Sequence, residues 1–307
     1  MEEKPPRWLV AAALLTLWLV WGSTYLAVTW ILPFVPPFAL SAARFWVAAP
    51  VLGLIAVASG AERPTRAQVL GCFVVGGFLF LGGNGGTVFS QTRISSGLTA
   101  VVVGCVPLWV GLLGWLVNGE RPHMLRIAGM VLGVIGVAVL LGGGAGEVDP
   151  IGVAICIAAT LSWATGTTIS RRTKLPSSIL LTTALQMAAG AILLTLAAAA
   201  TGQWGQIEWN GLGLPQGLAF AWLVTGGSIA ALVAYNWLLK VTSAAVATTY
   251  AYVNPLVAIA LGWAFGGEHM GPVALAASAT IIAAVILTTS RPPTPPAPQP
   301  GPVMSPR

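Results

Sequence analysis

Ten long apolar runs occupy most of this sequence, and each is about as long as a bilayer is thick. A transmembrane helix needs roughly 20 apolar residues, about twice the length of a strand in a membrane barrel. Backbone groups in hydrocarbon must form their hydrogen bonds within the chain, so we predict an all-α membrane protein with ten transmembrane helices. The runs lie near residues 8–30, 36–59, 67–90, 95–117, 124–142, 150–170, 176–200, 215–238, 244–266 and 271–289.

Charged side chains are too few to cover a water-soluble surface. The 14 Lys and Arg and 8 Asp and Glu make up 7% of the 307 residues, whereas soluble proteins carry about 25%. Hydrophobic residues make up 56%. This composition excludes a soluble enzyme and a secreted module, and the net charge of +6 forms no basic stripe for nucleic acid. We therefore expect the lipid bilayer to be the main partner of the surface.

Neither the cysteines nor the N-terminal residues change this assignment. Cys72, Cys105 and Cys156 lie inside apolar runs at spacings that suit no metal motif, so we interpret them as small core residues, without disulfides, metal or cofactor. The first run follows a short charged segment, as a signal peptide does. It stays apolar beyond the usual length of such a peptide, so we interpret it as the first helix.

Basic residues fall almost entirely on one side of the predicted helices. With the N-terminus inside, twelve are cytoplasmic, only Arg93 lies outside, and Arg44 lies within helix 2. The positive-inside rule therefore predicts a multi-pass protein of a bacterial inner membrane with both termini cytoplasmic. The tail 291–307 has eight prolines, which predicts a disordered cytoplasmic segment. The twelve are Lys4, Arg7, Arg63, Arg66, Arg121, Arg126, Arg171, Arg172, Lys174, Lys240, Arg291 and Arg307.

The two halves of the sequence resemble each other. A shift of 142 residues aligns Arg44 with Gln186, and a shift of 148 aligns several short motifs. We predict one five-helix repeat at 8–142 and a second at 150–290. An odd number of crossings gives the second repeat the opposite polarity, and such inverted repeats are typical of secondary transporters. The motifs are Pro107-Leu108 with Pro255-Leu256, Leu113–Trp115 with Leu261–Trp263, and Gly119-Glu120 with Gly267-Glu268.

These motifs, with Trp21–Ser23 at the start of helix 1 and Arg44-Phe45 in helix 2, carry a resemblance to a known family. The chain resembles the drug/metabolite transporter superfamily, and within it the EamA-type exporters, which include bacterial exporters of aromatic and other amino acids. The resemblance covers residues 8–290. It implies a basket of ten helices around a central cavity, lined mainly by helices 1, 3, 4, 6, 8 and 9, with helices 5 and 10 at the periphery.

A polar stripe runs along predicted helix 3. Phe80, Asn84, Thr87 and Gln91 recur at i, i+4, i+7 and i+11, which places them on one helix face. Polar side chains are costly in lipid, so this face should turn inward. The two amides either bind a polar substrate or join helices by bonds that contribute about 1 kcal/mol or less. The glycines on both sides of Asn84 predict a hinge or a broken helix beside a cavity.

Aromatic side chains with polar edges form the second group of candidate substrate contacts. Trp21 and Tyr25 share a face of helix 1, and Trp163 and Thr167 share a face of helix 6. Such rings suit a substrate that is partly apolar and partly cationic, although interfacial belts and ordinary packing explain most membrane tryptophans. Weaker candidates are Tyr235 on helix 8 and Tyr250 and Asn254 on helix 9.

Two arginines are candidate gating residues or charge partners. Arg44 is the one charge well inside a predicted span, where it costs about 2.5 to 3.5 kcal/mol near the centre. It either meets a substrate carboxylate or acts as a structural hydrogen-bond donor, and the second interpretation is favoured. Arg93 lies at the external turn between helices 3 and 4, where gating and plain solvation are equally supported.

The predicted spans hold no Asp or Glu in their middle, which bears on energy coupling. A proton-coupled antiporter needs a buried carboxylate, so the sequence favours uniport, and a proton-coupled drug or metabolite antiporter is the alternative. Glu120 and Glu268 end helices 4 and 9, with His123 and His269 nearby. These groups can titrate, but a helix-end role for both glutamates is favoured.

An embedded enzyme and a structural scaffold are the alternatives from another class of protein. An embedded enzyme would need acidic or histidine clusters, which the spans lack. A dimer-forming scaffold would use close helix packing, for which Gly129 and Gly133 on helix 5 form a weak motif, so a homodimer remains open. We predict a secondary transporter that exports small metabolites, most plausibly aromatic or neutral amino acids, by alternating access.

Overall fold

The structure, a computed structural model, describes residues 6–118, 124–141, 148–170, 172–242, 250–269 and 271–289. Every regular element in these ranges is a helix. The Gly119-Glu120 pair, His123, the start of the predicted ninth helix at 244–249 and the tail 291–307 lie outside the described residues. Their predictions therefore stay predictions.

We number the described helices α1 to α10 in chain order. Their bounds are α1 Arg7–Ile31, α2 Pro37–Ala58, α3 Arg66–Ser90, α4 Ser96–Val103 and Val106–Asn118, α5 Met124–Leu141, α6 Pro150–Ser170, α7 Ile179–Ala200, α8 Leu214–Trp222, Leu223–Ala230 and Ala231–Val241, α9 Tyr250–Phe265, and α10 Pro272–Thr289. Seven of them, α1–α4 and α6–α8, are long and apolar enough to cross a membrane. The apolar stretches of α5, α9 and α10 are shorter, so the number of ten crossings remains a prediction.

The outer surface of the helices is apolar. Leu54 and Val57 on α2, Leu116 on α4 and Trp263 on α9 have 68% to 72% of their surface exposed. Large apolar side chains at such exposure are unfavourable in water when they form wide patches, and they are expected where lipid is the solvent. This surface agrees with a protein that lies in a bilayer.

Polar side chains satisfy the backbone where helices begin. Thr65 and Gln68 form a capping box before α3, and the hydroxyls of Ser95 and Ser178 accept from the third residue of α4 and α7. At α2 the acceptor comes from far along the chain, because Gln203 Oε1 accepts from the backbone nitrogens of Phe38 and Ala39. That bond ties the loop after α7 to the start of α2.

The helices pack in a pattern that repeats between the two halves. α2 packs along α7, α4 along α9 and α5 along α10, while α3 contacts α6 and α1 contacts α8. Exchanging every helix for the one five places away leaves this set of neighbours unchanged. α5 and α10 form a pair at one side, with Gly133 of α5 against Leu108 and Ala284 of the same chain. Gly133 therefore packs against helices of its own chain and does not lie on a free helix face. It no longer supports a homodimer, which stays a prediction.

A glycine allows α3 and α7 to approach closely, and this contact generates the first prediction. A Cβ on Gly76 would collide with the backbone carbonyl oxygen of Gln186 and lie 3.1 Å from Ala189 Cβ. We expect Gly76→Ala to lower the unfolding free energy by about 1 to 3 kcal/mol, because the two helices have to separate. Thermal unfolding in detergent measures this effect.

The matched control is Gly217→Ala on α8, where no atom lies within 4 Å of a new Cβ. Alanine has the higher helix propensity, so this variant should be neutral or slightly stabilised. Equal melting temperatures for both variants would contradict the close α3–α7 contact.

Candidate substrate-binding cavity

A cavity lies among eight of the helices, and its empty space, together with its opening to solvent, is about 830 Å³. It is lined by α1, α3, α4, α6, α8 and α9, the six helices that the family resemblance implies, and also by α2 and α7. The lining residues used below are Trp21, Thr24, Tyr25, Arg44, Phe80, Asn84, Thr87, Gln91, Trp163, Gly227, Ser228, Tyr250 and Asn254.

Three of the helices that line the cavity contain a π-helical segment. These segments are Thr16–Trp21 in α1, Gly77–Gly85 in α3 and Leu223–Ala230 in α8. The glycine-rich stretch of α3 thus widens the helix and does not break it, which corrects the expectation of a broken helix. π-Helical turns are rare and are frequent at functional sites, and they alter the local i to i+4 hydrogen-bond ladder.

Side chains from neighbouring helices donate to carbonyl oxygens in these π-helical segments. Trp21 Nε1 donates to Gly227 O at 3.0 Å, and Ser162 Oγ donates to Phe78 O at 2.8 Å. The Asn254 amide nitrogen faces the carbonyl oxygens of Leu17 and Trp18, each 3.2 Å away, because the opposite orientation would place oxygen against oxygen. These bonds hold the three widened helices in fixed positions around the cavity.

Aromatic rings form one wall of the cavity. The Trp21 ring lies 5.1 Å from Tyr250 and 6.5 Å from Trp163, and the Trp163 ring lies 6.3 Å from Phe80, all three pairs edge to face. Edge-to-face pairs at these distances contribute about 0.5 to 1.5 kcal/mol beyond the area they bury. The wall is therefore rigid as well as apolar.

Two amide oxygens in the lining of the cavity lack a hydrogen-bond donor. Asn84 Oδ1 and Gln91 Oε1 are buried, and neither accepts a hydrogen bond from the part of the chain that the structure describes. Thr87, between them on the stripe, donates its hydroxyl to Gly83 O at 2.8 Å. A buried acceptor without a donor costs about 1 to 3 kcal/mol, a cost that a donor group on a molecule in the cavity would remove.

Arg44 brings a positive charge to the cavity. It is 6% exposed, and its Nε donates to Ser228 Oγ at 2.5 Å. Ser228 in turn donates to Leu223 O at 3.0 Å, within the π-helical segment of α8. The guanidinium is thus fixed by α8 and does not reach outward to the membrane surface.

Three of the predicted site residues lie outside the cavity lining. Thr167 lies one turn beyond Trp163 and donates to its carbonyl oxygen at 2.9 Å. Tyr235 packs behind the wall, with its ring 5.4 Å from Trp21. Arg93 is 42% exposed and pairs with Asp149 at 2.8 Å, so the structure places it at a helix end.

Sequence reasoning missed several lining residues, among them Thr24, Gly227 and Ser228. A signal for the last two was available. Gly226-Gly227-Ser228 is a glycine-rich stretch of α8 that ends in a polar residue, as Gly82-Gly83-Asn84 is in α3. The sequence gives no comparable signal for Thr24. In the structure its hydroxyl donates to the carbonyl oxygen of Trp21 in its own helix.

The two halves also meet at the end of the bundle near Arg93. Glu268 accepts hydrogen bonds from the backbone nitrogens of Ser96 and Gly97 at 2.8 and 3.2 Å. The hydrogen bond from Arg93 lowers the pKa of the Asp149 carboxyl below its usual value. Asp149 therefore stays ionised at neutral pH. Its ion pair with Arg93 weakens only at a pH low enough to protonate the carboxylate. These polar contacts join α3 and α4 of the first half to α6 and α9 of the second.

The family model for EamA-like transporters matches residues 8–142 and again residues 150–290. The chain belongs to the EamA-like transporter family. The two matched segments carry the two sides of the cavity, since the first contains Trp21, Arg44 and Asn84 and the second contains Trp163 and Ser228.

Individual proteins of known sequence or structure agree with this family. The chain is 33% identical over 279 residues to YedA of Escherichia coli K12, described as an uncharacterized inner membrane transporter, which covers 90% of this chain and 89% of YedA. It is 25% identical over 275 residues to the protein PecM of Dickeya dadantii, which covers 87% and 88% of the two chains. A solved crystal structure matches 92% of this chain and 97% of its own with a TM-score of 0.64 at 22% identity, which supports the fold.

The two tryptophans of the aromatic wall generate a second prediction. Trp21→Phe removes the bond to Gly227 O, whereas Trp163 Nε1 donates no hydrogen bond within the described ranges, so Trp163→Phe removes only ring area. We expect Trp21→Phe to cost about 0.5 to 1.5 kcal/mol more of unfolding free energy than Trp163→Phe. Unfolding of both variants in the same detergent measures the difference. A larger loss for Trp163→Phe would show that Trp21 does not hold α8.

Proposed function

We propose that this protein is a secondary transporter of a bacterial inner membrane that exports small metabolites, with aromatic and neutral amino acids as the best-fitting class. It works by alternating access, as one repeat rocks against the other, and it moves its substrate down a gradient as a uniporter. The observation that carries this proposal is the cavity, in which an aromatic wall faces two amide oxygens without donors. The inner membrane location is supported by the description of YedA.

The chemistry of the lining supports a small molecule with an apolar body and a polar end. Trp21, Trp163 and Tyr250 offer ring faces and edges, and Asn84 and Gln91 offer acceptors for N–H groups. An aromatic or neutral amino acid combines these features. The two amide oxygens have no hydrogen bond to lose when a substrate binds. A substrate N–H group that donates to them therefore contributes the full free energy of that bond.

Inverted repeats are part of the proposal, and the packing pattern supports them. A set of helix neighbours that is unchanged by exchanging helices five places apart is expected of two copies related by a twofold axis. The contacts of Glu268 with Ser96 and of Arg93 with Asp149 join the halves at one end. They have to break when the cavity opens there, which gives Arg93 its proposed gating role.

Uniport is proposed because the described lining of the cavity lacks an acidic or histidine side chain that could carry a proton. No Asp, Glu or His lines it among the described residues. The described carboxylates are Glu62, Asp149, Glu208 and Glu268, all between or at the ends of helices. Proton-coupled antiport is the second candidate mechanism, and the groups at the helix ends are its available carriers.

An embedded enzyme or a structural scaffold is the alternative from another class. Within the described residues, no group of three His, Cys, Asp or Glu side chains could hold a metal ion. Membership in the EamA-like transporter family favours transport over both alternatives.

Flux in liposomes tests the proposed function. Purified protein is reconstituted, the vesicles are loaded with one radiolabelled amino acid at a time, and efflux is followed with and without a proton ionophore. We expect saturable efflux of aromatic or neutral amino acids that the ionophore leaves unchanged. Absence of flux for the whole set would contradict the amino-acid assignment, and an efflux rate that the ionophore changes would contradict uniport.

Variants of the lining are a third prediction. Trp163→Ala and Asn84→Ala should each reduce flux about tenfold or more with normal expression, because the substrate loses a wall or an acceptor. Trp263→Ala is the matched control, since Trp263 is 72% exposed on the outer surface. Unchanged flux in both cavity variants, or an equal loss in Trp263→Ala, would contradict the assigned cavity.

A further inference from the structure

Arg44 is a buried cation without an acidic partner. The ion pair that the structure shows in its described ranges joins Arg93 to Asp149, and no carboxylate lines the cavity there. A buried charge is costly unless a counter-charge or hydrogen bonds compensate it. The cavity therefore lacks one negative charge.

The hydrogen bond to Ser228 leaves the outer edge of the guanidinium available. Nε is occupied by Ser228 Oγ, and the two terminal nitrogens donate to no group within the described residues. The guanidinium carbon lies 5.2 Å from the centre of the Phe45 ring, which supports it from the side. The two free N–H nitrogens form a planar fork that matches the two oxygens of a carboxylate.

Because residue 227 of α8 is a glycine, the backbone there leaves room for the Arg44 guanidinium. A Cβ on Gly227 would lie 2.9 Å from Arg44 Nη2 and 2.7 Å from Thr24 Cγ2, so a larger residue would displace the guanidinium. The carbonyl of the same Gly227 accepts from Trp21 Nε1. Arg44 is thus placed by the residues that also fix the aromatic wall.

We propose that Arg44 is the specificity-determining residue for a substrate carboxylate, which supplies the missing negative charge when the cavity is filled. This inference rests on the proposed function, since it takes the cavity as the substrate site. The carboxylate is the required group, and the amino group, which meets Asn84 and Gln91, is secondary. Aromatic monocarboxylates without an amino group bind, and aromatic amines without a carboxylate bind more weakly.

Magnitudes decide against a cationic ligand. A cation over a tryptophan ring gains about 0.5 to 2 kcal/mol. A second unpaired charge of the same sign in a buried site costs several kcal/mol per ion. The rings of Trp21 and Trp163 therefore hold the apolar body of the substrate and do not recruit a cation beside Arg44.

Four ligands with one aromatic ring separate the two charged groups. Phenylalanine carries both, 3-phenylpropionate carries only the carboxylate, and phenylalaninamide and phenethylamine carry only the amino group. Binding to the purified protein is measured as a concentration-dependent rise in melting temperature and as a Kd by titration calorimetry. We expect the two carboxylates to bind and the two amines to bind at least about tenfold more weakly.

Three variants test the assigned residue. Arg44→Gln should weaken binding of both carboxylates about tenfold to a hundredfold and abolish their preference over the amines. Arg44→Lys keeps the charge without the fork and should bind with intermediate Kd, which covers the case in which Arg44→Gln fails to fold. The control is Arg63→Gln, which changes an exposed arginine between α2 and α3 and should bind like the wild type.

The outcomes separate this inference from the proposed function. Equal or tighter binding of the amines, binding of none of the four ligands, or an unchanged carboxylate preference in Arg44→Gln or Arg44→Lys would each overturn the role of Arg44. The liposome flux assay decides the export proposal independently, because it uses the full set of amino acids and the wild-type chain.

Discussion

In hydrocarbon, a backbone carbonyl oxygen that leaves its regular helical partner has to find another donor, since water cannot supply one. The cavity of this protein is built around that constraint. α1, α3 and α8 each widen into a π-helical segment beside the cavity, and each segment receives a side-chain donor from another helix. The widened turns place irregular backbone next to the cavity, and Trp21, Ser162 and Asn254 donate to carbonyl oxygens of that backbone. The same bonds connect helices of the two matched segments, so the shape of the cavity depends on how the halves meet.

The chemistry of the cavity follows from what remains unsatisfied. Carbonyl oxygens of the three π-helical segments receive side-chain donors, but Asn84 Oδ1, Gln91 Oε1 and the two terminal nitrogens of Arg44 have no partner in the described chain. Two acceptors, one cation and an apolar wall fit the proposed ligand, which brings donors, a negative charge and a ring. A transporter has to bind its substrate and release it again, so incomplete satisfaction in the empty state is compatible with weak and reversible binding. No Asp or Glu lies among the described lining residues, which supports the proposed uniport.

Much of the fold was predictable from the sequence because lipid imposes simple length and polarity rules. The positions of the described helices agree with the apolar runs, and the i, i+4, i+7, i+11 stripe placed Phe80, Asn84, Thr87 and Gln91 together in the cavity lining. Thr167 and Tyr235 do not line the cavity. Thr167 lies one helical turn beyond Trp163, and Tyr235 packs against the side of Trp21 that faces away from the cavity. The π-helical turns were not predictable, because glycine-rich sequence is compatible with a hinge, a break or a widened helix. Ser228 became important only through the bond from Arg44, which joins residues 184 positions apart.

The central claim is that two oppositely oriented five-helix repeats enclose the cavity. Single cysteines at Glu62 and Glu208 test it most directly, because these residues lie in the loops after α2 and α7, which are equivalent places in the two repeats. The native cysteines Cys72, Cys105 and Cys156 are buried and leave little background. With a membrane-impermeant maleimide, Glu208→Cys should be labelled in intact cells and Glu62→Cys only after the membrane is permeabilised. Labelling of both positions from the same side would contradict the inverted arrangement and the account of transport built on it.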